Sequence, residues 1–175
     1  HLFNSASSSS NGGATAHAFG VKAYYDDYGN NPDKPFKSLS GEKYSIMTEA
    51  QKQGKSIAII NSAHICEPGT GVYLANSTNR DLYDTISAQI IYSKADIIFA
   101  GGEIFLIPEG EIGYHGEPGI RNDNRNLLIE AEELGYNVIF SSDELLALPS
   151  ETEKVLGIFA AKNTCKIFQV IRWFW

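Results

Sequence analysis

The stretch "SASSSSNGGATAHAFGVK", residues 5–22, runs from a serine cluster through two adjacent glycines into a helix-like segment. Short Ser/Gly tracts commonly serve as flexible connectors, so it reads either as a linker or as a turn that presents a serine. A helix over residues 15–28 places Ser10 to Gly13 just before or at its N-terminus. Unpaired backbone N–H groups and the positive end of the helix dipole favour an anion there. A serine at that place can attack phosphorus, since the same field stabilises its alkoxide. Gly12 and Gly13 let the backbone turn sharply and approach a ligand closely.

Arg80 is the second candidate, because its planar fork of donors suits the oxygens of a phosphate. An isolated arginine at a helix start is more often an ordinary solvated charge. Glu67, in "CEPGTG", is the third, and a hard cation such as magnesium would suit its carboxylate. His64 reads as a hydrogen-bonded loop residue. Glu103, Glu109, Glu111 and His115 look like a metal cluster at first sight. They are spread through a Gly/Pro-rich segment without ligand-type spacing, and read as a solvated loop.

The elements that must position these residues alternate. Helical periodicity covers 15–28 (Ala16, Phe19, Ala23, Tyr24), and a second helix is predicted over 42–54 with Gly54 as its C-cap. "KSIAIINSA" reads as a buried strand, and 80–94 as an amphipathic helix with Leu82, Ile86 and Ile90 on one face. "ADIIFAGG" is a strand ending in a Gly-Gly turn. "DNRNLLIEAEELGY" is a helix with Leu127, Leu128, Ala131 and Leu134 inward. "NVIFSS", "SDELLAL" with Ser142 as N-cap, and "VLGIFAA" supply a strand, a helix and a last strand. Helix and strand in alternation imply an α/β fold, a mostly parallel sheet with helices on both faces. Ligands of such sheets bind beyond the strands' carboxyl ends. That directs the search to "NSAHICEPGTG" and "GGEIFLIPEGEIGYHGEPG".

A chain of 175 residues with 43% hydrophobic and 20% charged residues suits a globular domain with a sizeable core. A net charge of -7 leaves no basic face for nucleic acid. There is no apolar run of about 18 residues, the length a membrane-spanning helix needs. Cys66 and Cys165 neither define a disulfide framework nor exclude one bridge. The chain opens at His1 with no signal-like region and closes on "CKIFQVIRWFW", which is unlike a polar tail. This reads as part of a longer protein, with 1–163 a partial domain and 164–175 an atypical, non-native stretch.

Taken together, these residues resemble the alkaline phosphatases. That family's signature is a nucleophilic serine in Asp-Ser-Ala-x-x-x-Thr-Ala, followed by a helix containing Gly-x-Lys. "SSNGGATAHAFGVK" places Ser10, Thr15, Ala16, Gly20 and Lys22 in that spacing, with Ser9 standing where the family has Asp. "NSAS" at Asn4–Ser7 matches locally but spoils the spacing, which makes Ser5 the runner-up. "SIAIINSAHICEPGTGVYLANSTNRDLYD" is similar to the family's next block, with Arg80 at the phosphate-clamp position. The similarity runs in order over roughly residues 5 to 163. It implies metal-dependent hydrolysis of phosphate monoesters through a phosphoserine at Ser10, with Arg80 holding the phosphate. It also implies zinc and magnesium, with Ser10 and Glu67 among the metal ligands and most ligands outside this chain, which alone would then be inactive. An exported, homodimeric protein follows from the same resemblance. The alternative is a noncatalytic α/β domain binding phosphate or another anion at the Gly-rich helix start; no GxGxxG or P-loop pattern occurs.

Overall fold

The helices and strands follow one another as the periodicity requires, in a computed structural model that describes residues 9–30, 36–43 and 45–164. Ser5, the Asn4–Ser7 alternative, Cys165 and the stretch from 165 onward lie outside the described residues. The chain divides into two compact units, residues 1–57 with 66–93 and residues 58–65 with 94–175.

The first unit is helical: α1 (Ser10–Phe19), α2 (Ile46–Lys52), α3 (Pro68–Gly71) and α4 (Tyr83–Tyr92). The first helix corrects the predicted 15–28. It begins at Ser10 and ends at Phe19, because Gly20 takes a left-handed conformation (φ 67°) and returns its N–H to the Ala16 carbonyl. Ala23 and Tyr24 therefore lie beyond it. Gly12 and Gly13 are poor helix formers, but Thr15 fastens the helix from within. Its Oγ1 donates to the Asp27 carbonyl at 2.7 Å and accepts from the Gly29 amide at 2.9 Å. The second helix is shorter than predicted, capped by Ser45, with Gln53 at the C-cap and Gly54 one residue beyond at φ 74°. In α4, Ile86 and Ile90 are fully buried as the spacing predicts, whereas Leu82 stands exposed at the N-cap.

The second unit holds a four-stranded parallel sheet in the order β1-β2-β4-β3, from β1 (Ala58–His64), β2 (Ile97–Gly101), β3 (Asn137–Ile139) and β4 (Val155–Ile158). All four residues of β4 are buried between two partners. Predicted as buried, β1 instead alternates: Ile59 is 4% exposed and Ile60 60%, because among the described residues it pairs on one side only. Its register slips between Ile60 and His64, where four residues of β1 span two of β2. After β2 the chain turns at Gly102 (φ 97°) into a 3-10 turn, Glu103–Phe105. Helix α5 (Leu127–Glu133) buries Leu127 and Ala131, with Leu128 and Leu134 half-buried. No helix of the described residues is long and apolar enough to cross a membrane.

Helix α6 (Ser142–Ala147) is capped by Ser141, not by the predicted Ser142. The extended backbone belongs to Ser141, which forms a capping box with Glu144. The Phe140 and Ser141 amides donate to the Glu144 carboxylate at 2.6 and 3.0 Å. The Phe140 bond, helped by the Ser141 hydroxyl and amide, holds the Glu144 carboxyl below the usual carboxylate range. A depressed folded-state pKa gives stability that is present above the unfolded value and lost as pH falls through the folded one. Carboxyl NMR of Glu144 should therefore show a midpoint below that of an ordinary glutamate. Glu144→Gln should flatten the acid limb of the denaturation midpoint; a Glu144 titration at the ordinary value would refute this.

Candidate active site

Ser10 is the first residue of α1, and its side chain is exposed. The cap belongs to Ser9, whose Oγ accepts from the Gly12 amide at 3.1 Å and donates to the Tyr25 carbonyl. The Gly12 amide also reaches Tyr25 O at 3.2 Å, and the Gly13 amide reaches Ser9 O at 3.0 Å. Ser9 thus caps the helix as an N-cap aspartate would, its side-chain oxygen accepting from a first-turn amide. Ser10, freed from capping, stands at the positive end of a ten-residue helix. The tract is a helix start, and the floppy-linker reading fails for residues 9–22.

Residues 24–29 are stitched along α1, and Tyr28 lies at the centre of that seam. Its ring is fully buried and its hydroxyl donates to the Cys66 carbonyl at 2.9 Å. Its own carbonyl accepts the Ser77 amide at 2.8 Å. Burial, with the nearby Cys66 and Glu67, pushes the phenol far up, so it remains a donor at any ordinary pH. One tyrosine therefore joins the turn bearing Glu67 to the loop leading to Arg80. Periodicity conceals it, because the pattern over 15–28 places residue 28 at the end of a helix that in fact stops at Phe19.

Arg80 and Glu67, proposed separately from the sequence, are in contact: Nη2 donates to Oε1 at 3.1 Å. Glu67 precedes α3, and α1 packs against α3 in the same unit, so the helix that starts at Ser10 rests on the helix that Glu67 opens. Cys66 is a buried thiol whose Sγ lies 3.7 Å from the Tyr83 carbonyl.

In the second unit the solvated-loop reading of 103–115 is corrected. Glu103 is 1% exposed and accepts from the Tyr114 amide (2.6 Å) and the His115 amide (2.9 Å), with His115 Nδ1 also at 2.9 Å. Gly113 lies against that carboxylate, since an added Cβ would fall 2.4 Å from its Cδ. The carboxylate is a clamp that folds its loop over itself. Glu109 and Glu111 are exposed and take no part in it.

The family model described as "Alkaline phosphatase" matches residues 2–169. The chain belongs to the alkaline phosphatase family. An alkaline phosphatase of Gadus morhua is 27% identical over 178 residues, covering 85% of this chain and 37% of that protein. The Thermus thermophilus alkaline phosphatase structure superposes with a TM-score of 0.77 at 19% identity, covering 93% of this chain and 31% of that one. A mutant of the TAB5 alkaline phosphatase, solved with Mg bound in the M3 site, gives a TM-score of 0.71 at 19% identity over 92% of this chain and 41% of its own. The chain spans about a third of the length of the curated relatives it matches.

The described residues do not by themselves make an alkaline phosphatase metal centre. Among the described residues no three His, Cys, Asp or Glu side chains gather as a ligand set. The Glu67 carboxylate is engaged by a guanidinium, and one carboxylate with one serine hydroxyl falls short of the coordination that zinc or magnesium requires.

Proposed function

We propose that this chain carries the nucleophile and the phosphate clamp of a metal-dependent phosphomonoesterase. The observation that carries the reading is Ser10 itself: exposed, released from capping by Ser9, and first in a helix inside the family match. In this reading the Ser10 hydroxyl attacks phosphorus in line, a P–O bond forms, and the ester P–O bond breaks. The alcohol departs with a proton, leaving phosphoserine. Water then releases inorganic phosphate and restores the hydroxyl. Arg80 donates to two nonbridging oxygens and offsets the charge that gathers on them.

Zinc and magnesium belong to the proposal through the family, and through the magnesium of the TAB5 mutant. Ser10 and Glu67 would each supply one oxygen, and the other ligands are not found among the described residues. The family match runs to residue 169, past the expected boundary at 163, so residues 2–169 are proposed as a partial family domain of an exported homodimer, and only the stretch beyond 169 as foreign to it.

The test uses the protein encoded by the complete reading frame around these residues. An aryl phosphate is added, the mixture is quenched in acid, and peptides are mapped. Phosphate is expected on Ser10, and it should be absent from Ser10→Ala and reduced in Arg80→Ala. Turnover without phosphoserine would refute the mechanism. Phosphate binding without turnover, indifferent to chelator and lost when residues 9–13 are altered, would instead establish the noncatalytic anion-binding domain.

A further inference from the structure

We infer that Glu67 is the positioning residue for Arg80: it orients the guanidinium before phosphate arrives, and Tyr28 holds both ends of that contact in register. The inference rests on reading Arg80 as the phosphate clamp. Glu67 occupies the N-cap position of α3, where a carboxylate ordinarily accepts from the helix's own first amides. Its side chain makes no such bond and reaches Arg80 Nη2 at 3.1 Å, thirteen residues on. The adjacent acid, Asp81, accepts instead from the Tyr83 hydroxyl at 3.3 Å.

The two partners stand on unequal supports. Glu67 is anchored, with the Gly71 amide on its carbonyl at 2.8 Å and the Tyr28 hydroxyl on the preceding carbonyl at 2.9 Å. Arg80 follows a loop fixed upstream by the Ser77 amide on the Tyr28 carbonyl, and its long side chain has no comparable anchor of its own. A single-nitrogen contact restricts that side chain while the remaining donors of the fork can still address a phosphate. The pair is partly exposed, at 36% and 26%, so the attraction is weak enough for phosphate to share the guanidinium.

The test reads Arg80 directly by side-chain 15N NMR in the protein encoded by the complete reading frame, with and without inorganic phosphate, for wild type, Glu67→Gln and Glu67→Ala. Both substitutions leave α3's backbone capping intact, and the amide spectrum of α1 and α4, in the same unit, reports that the variants are folded. Wild type should show slow rotation of the Arg80 guanidinium, with separate Nη signals. Glu67→Ala should merge them and weaken phosphate binding roughly two- to twelvefold, the range for immobilising one rotamer-rich side chain. Glu67→Gln, which keeps an acceptor oxygen, should restore part of the splitting. Identical Arg80 signals in all three proteins would overturn the inference. If Glu67→Ala frees the signals but phosphate never shifts them, the tether stands and the clamp reading falls. If phosphate shifts Arg80 equally in all three, the clamp stands and the tether is excluded.

Discussion

Ser10→Ala is expected to lower kcat/KM for an aryl phosphate roughly a thousandfold or more, in the protein from the complete reading frame, while leaving the fold intact. The separation of these effects follows from the first turn of α1. Ser10 is exposed and contributes no cap, so removing its hydroxyl deprives the helix of nothing structural. Ser9 is the reverse case. Its Oγ receives the Gly12 amide and bonds the Tyr25 carbonyl, so Ser9→Ala should cost about 1 kcal/mol of stability with a far smaller loss of rate. Steady-state kinetics and denaturant midpoints on the two variants decide the matter. A rate that survives Ser10→Ala but collapses in Ser9→Ala would reassign the nucleophile to the neighbouring residue.

The contrast between two adjacent serines also shows what could be read from the chain beforehand. The family's motif singles out Ser10, because a serine, a threonine, a glycine and a lysine at fixed intervals do not depend on knowing the fold. Arg80 is found by its donor chemistry and by the block that resembles the family's next segment. Strands 97–101 and 155–158 are legible because β-branched runs between polar turns need burial to be stable. The start of α1 is not legible by periodicity. Its first turn is Ser-Asn-Gly-Gly, whose intrinsic preference opposes a helix, and it is held by Thr15 reaching Asp27 and Gly29. Glu103 fails for a similar reason. A carboxylate satisfied by amides eleven and twelve residues away looks, in sequence, like any acid in a polar loop. The Glu67–Arg80 contact spans a helix and a loop, and no period connects them. Residues that follow a local repeat can be read from the chain, whereas residues whose partners are set by tertiary approach cannot.

Tyr28 is such a residue, and Gly71→Ala exposes its role with the largest expected loss of stability. Gly71 is not in a left-handed conformation, so its lack of a side chain answers to space alone. A Cβ there would sit 2.0 Å from the Tyr28 hydroxyl oxygen and 3.2 Å from Cζ. Tyr28 has no exposed surface and its hydroxyl is committed to Cys66, so the ring has nowhere to withdraw without abandoning that bond. Overpacking costs about 1–3 kcal/mol, and a buried carbonyl left without a donor costs about 1–3 more, so roughly 3 kcal/mol is expected. The cause can be isolated, because Tyr28→Phe removes the one atom in the way. Alone, that change leaves the Cys66 carbonyl without its donor and should cost about 1–2 kcal/mol. Combined with Gly71→Ala it relieves the closest approach, leaving contact with the ring carbon, which a few tenths of an ångström can absorb. The double variant should therefore be more stable than the sum of the singles predicts, by about 1 kcal/mol or more in a denaturation cycle. Additive losses would mean that the ring, not the hydroxyl, fills the space beside Gly71. A Gly71→Ala protein as stable as wild type would mean that α3 is free to move away from Tyr28. In that case the register between Glu67 and Arg80 could not depend on the tyrosine.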